Sequence, residues 1–320
     1  MTFQLNVVCN TPLASVEDME TAVRTFLFQV GYLRSDYEPK TNATEIENSV
    51  PYRLFVDCLL KQREKGWSVE ELAKTLKTSR PTVYRHLNKL KLLDVLEENF
   101  IESSASEDGR KEYRIRYGNF STAWSFTETN INATLKYYRN IVSSISKSLG
   151  DEGLLRANAD ESAKLRKDTA GDAQFEIQLS NEHINASGKF EIVAADFLKL
   201  TGYIPTNENN VNISAIKKEA SYRLFVDCFL KRGDKSWSVG EMATLLKTTK
   251  PTIYRHLKRI EGFGILDKLL LDESTPPKKL YKLKYGDLSK AWNFTEAYVK
   301  IAAENYRKSV DHIQKLVENE

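Results

Sequence analysis

The chain contains few residues of the kinds that define secreted, fibrous or membrane proteins. Its 320 residues include only 3 cysteines, 14 glycines and 8 prolines, a composition that excludes disulfide-stapled, collagen-like and low-complexity chains. No apolar run approaches the ~20 residues that span a bilayer, and the N-terminal sequence MTFQLNVVCNTPLAS lacks the basic start of a secretory signal. We therefore expect an intracellular, cytoplasmic protein without membrane contact.

The cysteines predict neither a disulfide framework nor a metal site. Cys58 and Cys228 occupy equivalent positions within predicted helices, Cys9 stands alone, and none belongs to a CxxC pair. We expect three reduced thiols, with the equivalent pair packed as small apolar side chains. The chain also lacks the motifs GxxxxGK[ST], GxGxxG and GxSxG, so we predict no enzyme activity, no cofactor and no bound metal.

The sequence contains an internal repeat. The segments that begin at Tyr52 and Tyr222 share 24 identities over 39 positions without a gap, and a match resumes as EYRIRYGNFSTAWSFTE against LYKLKYGDLSKAWNFTE. A fainter match, VGYLRSD against TGYIPTN, precedes the strong one. A chain of 320 residues is long enough for two cores of ordinary domain size. We interpret it as a duplicated unit of about 150 residues.

The polar segment between the repeats has no clear apolar period and is interpreted as a linker. Its alanines would allow part of it to be helical.

Each repeat divides into three predicted parts. The predicted boundaries are 1–150 for the first repeat, with an acidic lobe at 1–50, a winged helix at 51–118 and a long helix at 119–149; 151–171 for the linker; and 172–320 for the second repeat, with a lobe at 172–220, a winged helix at 221–286 and a long helix at 287–319.

Both lobes begin with an alternating segment, FQLNVV or FEIQLS, which predicts a strand. A helix is expected to follow, from about Ser15 or Ser187 to Gly31 or Gly202, since glycine suits the residue after a helix end. The next helix is predicted from Tyr52 to about Lys65.

A helix-turn-helix pattern comes next. Ser68 and Glu71 form a capping box that opens the helix VEELAKTLK, and Pro81 falls in the first turn of the following helix, where its missing N–H costs nothing. Two alternating segments, DVLEENFIE and RKEYRIRY, then predict a hairpin. Trp67 precedes the capping serine as an expected hydrophobic staple, and Trp124 opens the long helix as an expected core residue; Trp237 and Trp292 repeat them.

The predicted fold is therefore mainly α with small β hairpins (α+β). It consists of two tandem winged helix-turn-helix units, each with an N-terminal strand–helix lobe and a long C-terminal helix, related by a pseudo-two-fold axis. The apolar positions of the long helices alternate in steps of four and three, which favours a coiled-coil-like seam between them. These positions are Ile131, Leu135, Tyr138, Val142, Ile145 and Leu149 in the first copy, and Val299, Ala303, Tyr306, Val310, Ile313 and Val317 in the second.

The charge of the chain is unevenly distributed. The net charge is only +3, but each half has an acidic lobe followed by a basic part. The third predicted helix is the most one-sided: five Lys or Arg and no acid lie between Lys77 and Lys91, and again between Lys247 and Arg259. Val83, Leu87 and Leu90 form its apolar stripe. A helix with an uncompensated cationic face favours an anionic partner, and the major groove of B-DNA is wide enough for a helix.

The segment SRPTVYRHLNKL resembles the recognition helix of winged helix-turn-helix regulators of the ArsR, MarR and TrmB type, and WSVEELAKTLKTS is similar to their preceding helix and turn. The resemblance covers about residues 52–117 and 222–285. It implies that the third helix enters the major groove and that the hairpin wing lies along the DNA backbone or minor groove. The groove-facing residues implied are Ser79, Arg80, Thr82, Tyr84, Arg85 and Lys89 in the first copy, and Thr249, Lys250, Thr252, Tyr254, Arg255 and Arg259 in the second.

Several of these positions have a structural alternative. His86 and His256 contact phosphate or pack beside the turn, and Tyr84 and Tyr254 face the groove or cover the edge of the core. Lys258, which replaces Asn88 of the first copy, joins the predicted DNA-binding set of the second.

In the hairpins, Tyr113, Ile115 and Tyr117 are expected to point inward, so that outward cations would meet phosphates. These cations are Arg114 and Arg116 in the first wing and Lys282 and Lys284 in the second. The tip ESSASEDG is acidic, whereas the second tip ends in Lys278 and Lys279. If one wing alone contacts DNA closely, we expect it to be the second.

Two copies in one chain suggest a single-chain dimer. Dimeric helix-turn-helix proteins place two recognition helices about one DNA turn, ~34 Å, apart, and a duplicated chain achieves the same if its halves pair. We therefore predict a monomer with an intramolecular pseudo-dimer. Because Arg80 and Lys250 differ in how they read guanine, an imperfect inverted repeat is the expected target.

Three functions remain open from the sequence. The first is a sequence-specific transcription regulator in the cytoplasm at the nucleoid. The second is an origin-binding replication initiator, because the chain is similar in style to archaeal winged-helix initiators. The third, of another class, is a protein-interaction scaffold whose acidic lobes contact a protein partner.

Overall fold

The structure, a computed structural model, describes most of both repeats. The described residues are 2–33, 42–101, 110–151, 165–168, 174–184, 188–205, 213–271 and 278–319. The acidic tip predicted for the first wing, residues 102–109, lies outside them, as do residues 152–164 and 169–173, which make up most of the predicted linker.

The first repeat follows the predicted order of elements. Its helices and strands are β1 (Gln4–Val8), α1 (Met19–Gln29), α2 (Ala43–Glu47), α3 (Val50–Arg53) continued by a π-helix (Leu54–Leu60), β2 (Trp67–Ser68), α4 (Val69–Thr75), α5 (Arg80–Leu92), β3 (Leu96–Ile101), β4 (Arg110–Ile115), a 3₁₀ turn (Arg116–Gly118) and α6 (Phe120–Asp151).

The second repeat has the same series, preceded by one extra strand. Its elements are β5 (Leu165–Lys167), β6 (Glu176–Ser180), α7 (Phe190–Leu200), α8 (Ile213–Ile216), α9 (Ala220–Arg223) continued by a π-helix (Leu224–Leu230), β7 (Trp237–Ser238), α10 (Val239–Leu246), α11 (Lys250–Gly262), β8 (Leu266–Leu271), β9 (Lys278–Leu283), a 3₁₀ turn (Lys284–Gly286) and α12 (Leu288–Asn319). None of the described helices has the length and apolarity needed to cross a bilayer.

Local capping explains where the short helices begin. The predicted capping box is confirmed: Ser68 and Glu71 satisfy each other's backbone N–H groups at the start of α4, and Ser238 with Glu241 does the same for α10. The lobe helix α1 begins four residues later than the Ser15 predicted, because the Asp18 side chain accepts from the Thr21 N–H at 2.8 Å and caps the helix there.

The helix predicted from Tyr52 to Lys65 differs from the one observed. The observed helix starts at Val50 and ends as a π-helix at Leu60. The Lys61 N–H donates to the carbonyl of Val56, five residues earlier. The last carbonyls of a helix lack helical partners, and here the Trp67 indole N–H donates to the carbonyl of Cys58 at 2.6 Å. Trp67 is buried, and its indole N–H ties the helix end to the sheet; its role as a hydrophobic staple stays a prediction.

Each wing belongs to a small antiparallel sheet. The first has the order β2-β4-β3, with Trp67 opposite Tyr113. The second has the order β5-β8-β9-β7, in which Leu165 lies opposite Leu271. Residues 165–167, interpreted from the sequence as linker, therefore add an edge strand to the second wing. The local pattern did not show this strand, since three residues carry too little periodicity.

The chain folds into two compact units that do not coincide with the two repeats. Unit 1 contains residues 1–133 and 301–320, and unit 2 contains residues 134–300. The long helices α6 and α12 each continue from one unit into the other. The second half of each helix therefore completes the unit that contains the other repeat's lobe and winged domain.

In unit 1 the second half of α12 runs antiparallel to the first half of α6. The Phe120 N–H donates to the Gln314 amide oxygen at 2.8 Å, and the rings of Trp124 and Tyr306 lie 5.9 Å apart. The Tyr306 ring also contacts Phe26 of α1 at 6.2 Å. Trp124 is fully buried, as predicted, and the apolar stripe of α12 packs against the lobe as well as against a helix.

Unit 2 repeats this packing with the roles of the helices reversed. The Tyr138 ring lies 5.8 Å from Phe197 of α7 and 6.2 Å from Trp292. All six predicted stripe positions of α6 are buried, whereas Ala303 and Val317 of α12 are half-buried.

Equivalent ion pairs join the long helices in both units. Arg139 forms a bidentate pair with Glu296 in unit 2, and Arg307 does so with Glu128 in unit 1. Glu128 corresponds to Glu296 and Arg139 to Arg307 in the repeat. The same two equivalent positions of the long helices are therefore paired in both units. Planar, bidentate pairs are geometrically specific, and these two pairs fix the register between the helices within each unit.

Candidate nucleic-acid interface

The turn between α4 and α5 positions the predicted recognition helix. Leu76 is the C-cap residue of α4, Lys77 adopts a left-handed conformation at φ 52°, and the Thr78 N–H donates to the carbonyl of Ala73 at 2.9 Å. Ser79 then caps α5 by accepting from the Thr82 N–H. Lys247 adopts the same conformation at φ 53°, so both copies use a non-glycine residue at the strained position of the turn.

Helix α5 has one buried and one exposed face. The predicted apolar stripe is confirmed, and its members are Val83, Leu87 and Leu90. The opposite face exposes Arg80, Tyr84 and Arg85. Tyr84 is 47% exposed and Tyr254 is 54% exposed, which places both rings at the surface rather than in the core. The exposed face of α5 is therefore cationic and aromatic, as expected for a surface that binds an anion.

His86 is buried, which favours the predicted packing beside the turn over the predicted contact with DNA. The residue is only 1% exposed, and its ring lies 6.3 Å from that of Tyr32 in the lobe. His256 is half-buried and lies 6.2 Å from the ring of Tyr203. Burial, reinforced by Arg255 and Arg259, lowers the pKa of His256. The two histidines thus connect the helix-turn-helix to the lobe.

The hydroxyl pairs at the helix starts are exposed but engaged with each other. Ser79 Oγ and Thr82 Oγ1 are 2.9 Å apart, and Thr249 Oγ1 and Thr252 Oγ1 are 3.0 Å apart. A capping hydroxyl keeps a free lone pair, so contact of these four residues with DNA stays a prediction.

Two cations at the end of the recognition helices face the lobes. Arg259 donates to the carbonyl of Gly202 at 2.6 Å, and its guanidinium lies 5.8 Å from the Tyr203 ring. Lys89, at the equivalent position, is half-buried beside Gly31 and Tyr32. Arg259 stays exposed despite this bond, as does Lys258, so contact of Lys89, Arg259 and Lys258 with DNA stays a prediction.

The cations at the base of each wing are also engaged internally. Arg114 pairs with Glu97. Arg116 donates to the Asp94 carbonyl at 2.9 Å, pairs with the Asp94 carboxylate, and lies 4.8 Å from the Phe126 ring.

In the second copy, Lys284 donates to the Gly264 carbonyl at 2.5 Å and lies 4.4 Å from the Phe294 ring. The prediction that Arg116 and Lys284 point outward to phosphates is wrong, because each closes the turn between the recognition helix and the wing. Lys282 is half-buried on β9, and its contact with phosphate stays a prediction.

Tyr117 does not point inward as the alternation predicted. It adopts a left-handed conformation at φ 56°, is 67% exposed, and stacks on Phe126 at 5.9 Å. Tyr285 has the same geometry, stacked on Phe294 at 6.0 Å. Period-two alternation ends with the strand at Ile115, and beyond that residue it no longer predicts direction.

In unit 2 an open groove of about 1240 Å³ lies between the helix-turn-helix and the wing. Tyr254 and Lys250 of α11 line one side, and Lys278 and Lys279 of β9 line the other. Arg232 and Lys235, from the segment before β7, also line it, and sequence reasoning missed them. Their spacing gave no signal, since only the fold brings this segment next to the wing.

Comparison with known protein families finds a similarity in the segment that contains α5. Residues 51–99 match a family of helix-turn-helix domains. The match runs from α3 through α4 and α5 into β3, and it supports a winged-helix-type DNA-binding domain. No curated protein and no solved structure matches the chain. Among the described residues, no group of three or more His, Cys, Asp or Glu lies together as a metal site would require.

Proposed function

We propose that this protein binds double-stranded DNA in a sequence-specific manner and acts as a transcription regulator. The observation that carries the proposal is the exposed cationic face of α5 inside the segment that matches the helix-turn-helix family. A helix of this kind reads base edges in the major groove, and flanking cations neutralise phosphates.

We further propose that both repeats contribute a recognition helix. Helix α11 repeats the cap, the proline in the first turn and the exposed Tyr254 and Arg255 of α5. The exchange of long-helix halves supports a monomer that acts as a pseudo-dimer, because each unit contains residues from both repeats. Since the two helices differ at Arg80 and Lys250, the proposed target is an imperfect inverted repeat.

Substitution of the exposed arginines tests the proposal. The bound sequence is first selected from genomic fragments, and its position beside promoters or inside an origin separates regulation from replication initiation. Arg85→Ala and Arg255→Ala are each expected to weaken binding to the selected site by about 1–3 kcal/mol. The measurement is fluorescence anisotropy with the labelled site.

Lys136→Ala is the matched control, because it removes one positive charge from an exposed position of α6 outside the interface. It is expected to leave binding nearly unchanged. Unchanged affinity in both arginine variants would contradict the assignment of the recognition helices. Weak binding that is insensitive to salt would instead favour a protein-interaction scaffold.

A further inference from the structure

The two proposed DNA-binding segments, α4–α5 and α10–α11, differ in charge at one equivalent helix position. The second residue of α4 is Glu70, whereas the second residue of α10 is Gly240. Glu70 Oε1 lies 3.2 Å from Arg80 Nη1, and the two side chains are 48% and 64% exposed. In the second repeat Gly240 and Lys250 line the same groove. The first cation of one recognition helix is therefore paired with an exposed carboxylate that the other copy lacks.

A second acid, present in both copies, does not account for this difference. Glu241 lines the groove in the second repeat, and it is held by the capping serine and lies 3.5 Å from Lys235. Its equivalent, Glu71, has the same capping role. Glu70 has no part in the capping box.

The wings differ in the same direction. Strands β3 and β4 carry three basic and three acidic residues, whereas β8 and β9 carry four lysines and one aspartate. Some of the second wing's charge is already paired, since Lys268 lies 3.1 Å from Glu261 and Lys279 lies 3.1 Å from Asp168. The Lys279 side chain nevertheless stays 53% exposed, which leaves it open to a phosphate.

We infer that the second repeat supplies most of the phosphate contact and that Glu70 sets this inequality by lowering the affinity of the first repeat for DNA. The inference rests on the proposed DNA-binding function. A carboxylate beside a phosphate repels it, and Arg80 must leave Glu70 before it binds DNA. Removal of the carboxylate abolishes both effects, and because exposed ion pairs contribute little to stability, loss of this pair is not expected to unfold the first repeat.

An exchange of the two residues tests the inference. The variants are Glu70→Gln, which keeps a side chain in the helix, and Gly240→Glu, which places the acid in the second repeat. A Cβ added at Gly240 would meet only Ser238 Oγ, at 4.0 Å, so the backbone position accepts a side chain without a clash at its first atom. Both variants and the unchanged protein are titrated against a fluorescein-labelled DNA duplex of arbitrary sequence, about three helical turns long, at several KCl concentrations.

Glu70→Gln is expected to bind about threefold to tenfold more tightly and to steepen the dependence of log affinity on log salt by about one. Gly240→Glu is expected to change both quantities in the opposite direction. Circular dichroism and thermal unfolding check that each variant is folded. Should Gly240→Glu fail to fold, Glu70→Gln still decides the question.

The two possible failures can be told apart. If the unchanged protein binds the duplex steeply with salt and Glu70→Gln binds no more tightly, the inference about Glu70 is wrong while the proposed function stands. If neither the unchanged protein nor any variant binds the duplex in a salt-dependent manner, the proposed function itself is wrong.

Discussion

The hydroxyl of Tyr138 ties the second half of α6 to the lobe of the second repeat, and its removal is predicted to destabilise the protein. The Tyr138 hydroxyl donates to the carbonyl of Leu200 at 2.9 Å and accepts from the N–H of Ser180 at 3.0 Å. Tyr138 and Ser180 are 0% and 3% exposed. Burial raises the pKa of Tyr138 above its ordinary value, so the hydroxyl remains a donor at neutral pH.

Tyr138→Phe leaves a buried N–H and a buried carbonyl without this partner. An unsatisfied buried polar group costs about 1–3 kcal/mol, and partial relaxation reduces the sum for the two. The expected loss in the free energy of unfolding is about 2–3 kcal/mol. Tyr306→Phe should cost less, about 1–2 kcal/mol, because its hydroxyl bonds Gln29 at 3.0 Å but the Val8 N–H only at 3.4 Å.

Urea unfolding at neutral pH, followed by circular dichroism, measures these losses. Tyr285→Phe is the matched control, because Tyr285 is 67% exposed and its hydroxyl is available to water. The expected order of destabilisation is Tyr138→Phe, then Tyr306→Phe, then Tyr285→Phe. If Tyr138→Phe destabilised the protein no more than Tyr285→Phe, the argument that this hydroxyl anchors the exchanged helix would be refuted.

Two further predictions concern titratable groups. Because the pKa of His256 is lowered by burial and by Arg255 and Arg259, the unfolded chain binds a proton more readily than the folded one, and stability falls as the pH drops through about 6.5. His256→Gln should flatten this fall in urea unfolding measured from about pH 7.5 to 5, and equal slopes would contradict the reasoning. Burial raises the pKa of Cys58 to about 11 and of Cys228 to about 12, whereas Cys9 is exposed. A disulfide reagent at about pH 8 should therefore modify one thiol rapidly in the folded protein, and a second fast thiol would show that a buried cysteine is accessible.

Local patterns predicted the capping and the apolar stripe of the helices around α4 and α5 well. The Ser68–Glu71 box, the proline in the first turn of α5 and the stripe Val83, Leu87 and Leu90 all act within one or two helical turns. Their outcome depends on residues that are neighbours in the chain. The helix-turn-helix and its cationic face therefore follow from the sequence.

Local patterns did not predict whether a polar side chain faces solvent or contacts a residue distant in sequence. Arg116 and Lys284 were predicted to point outward from the wings. Instead they donate hydrogen bonds to the carbonyls of Asp94 and Gly264. His86 was predicted either to contact phosphate or to pack beside the turn, and its burial against Tyr32 of the lobe favours packing. Arg232 and Lys235 had no motif at all. In each case the competing partner belongs to an element that the local pattern does not bring near.

The sequence alone determined that the chain carries two similar segments around α5 and α11 and that its long helices have one apolar stripe each. Only the tertiary structure decided what those stripes pack against: the second half of each helix completes the unit that holds the other repeat's winged domain. An apolar stripe specifies that a face is buried, but many apolar surfaces satisfy it equally well. The directional groups, namely the Tyr138 and Tyr306 hydroxyls and the Arg–Glu pairs, select one partner, because a hydrogen bond requires a specific atom at a specific distance.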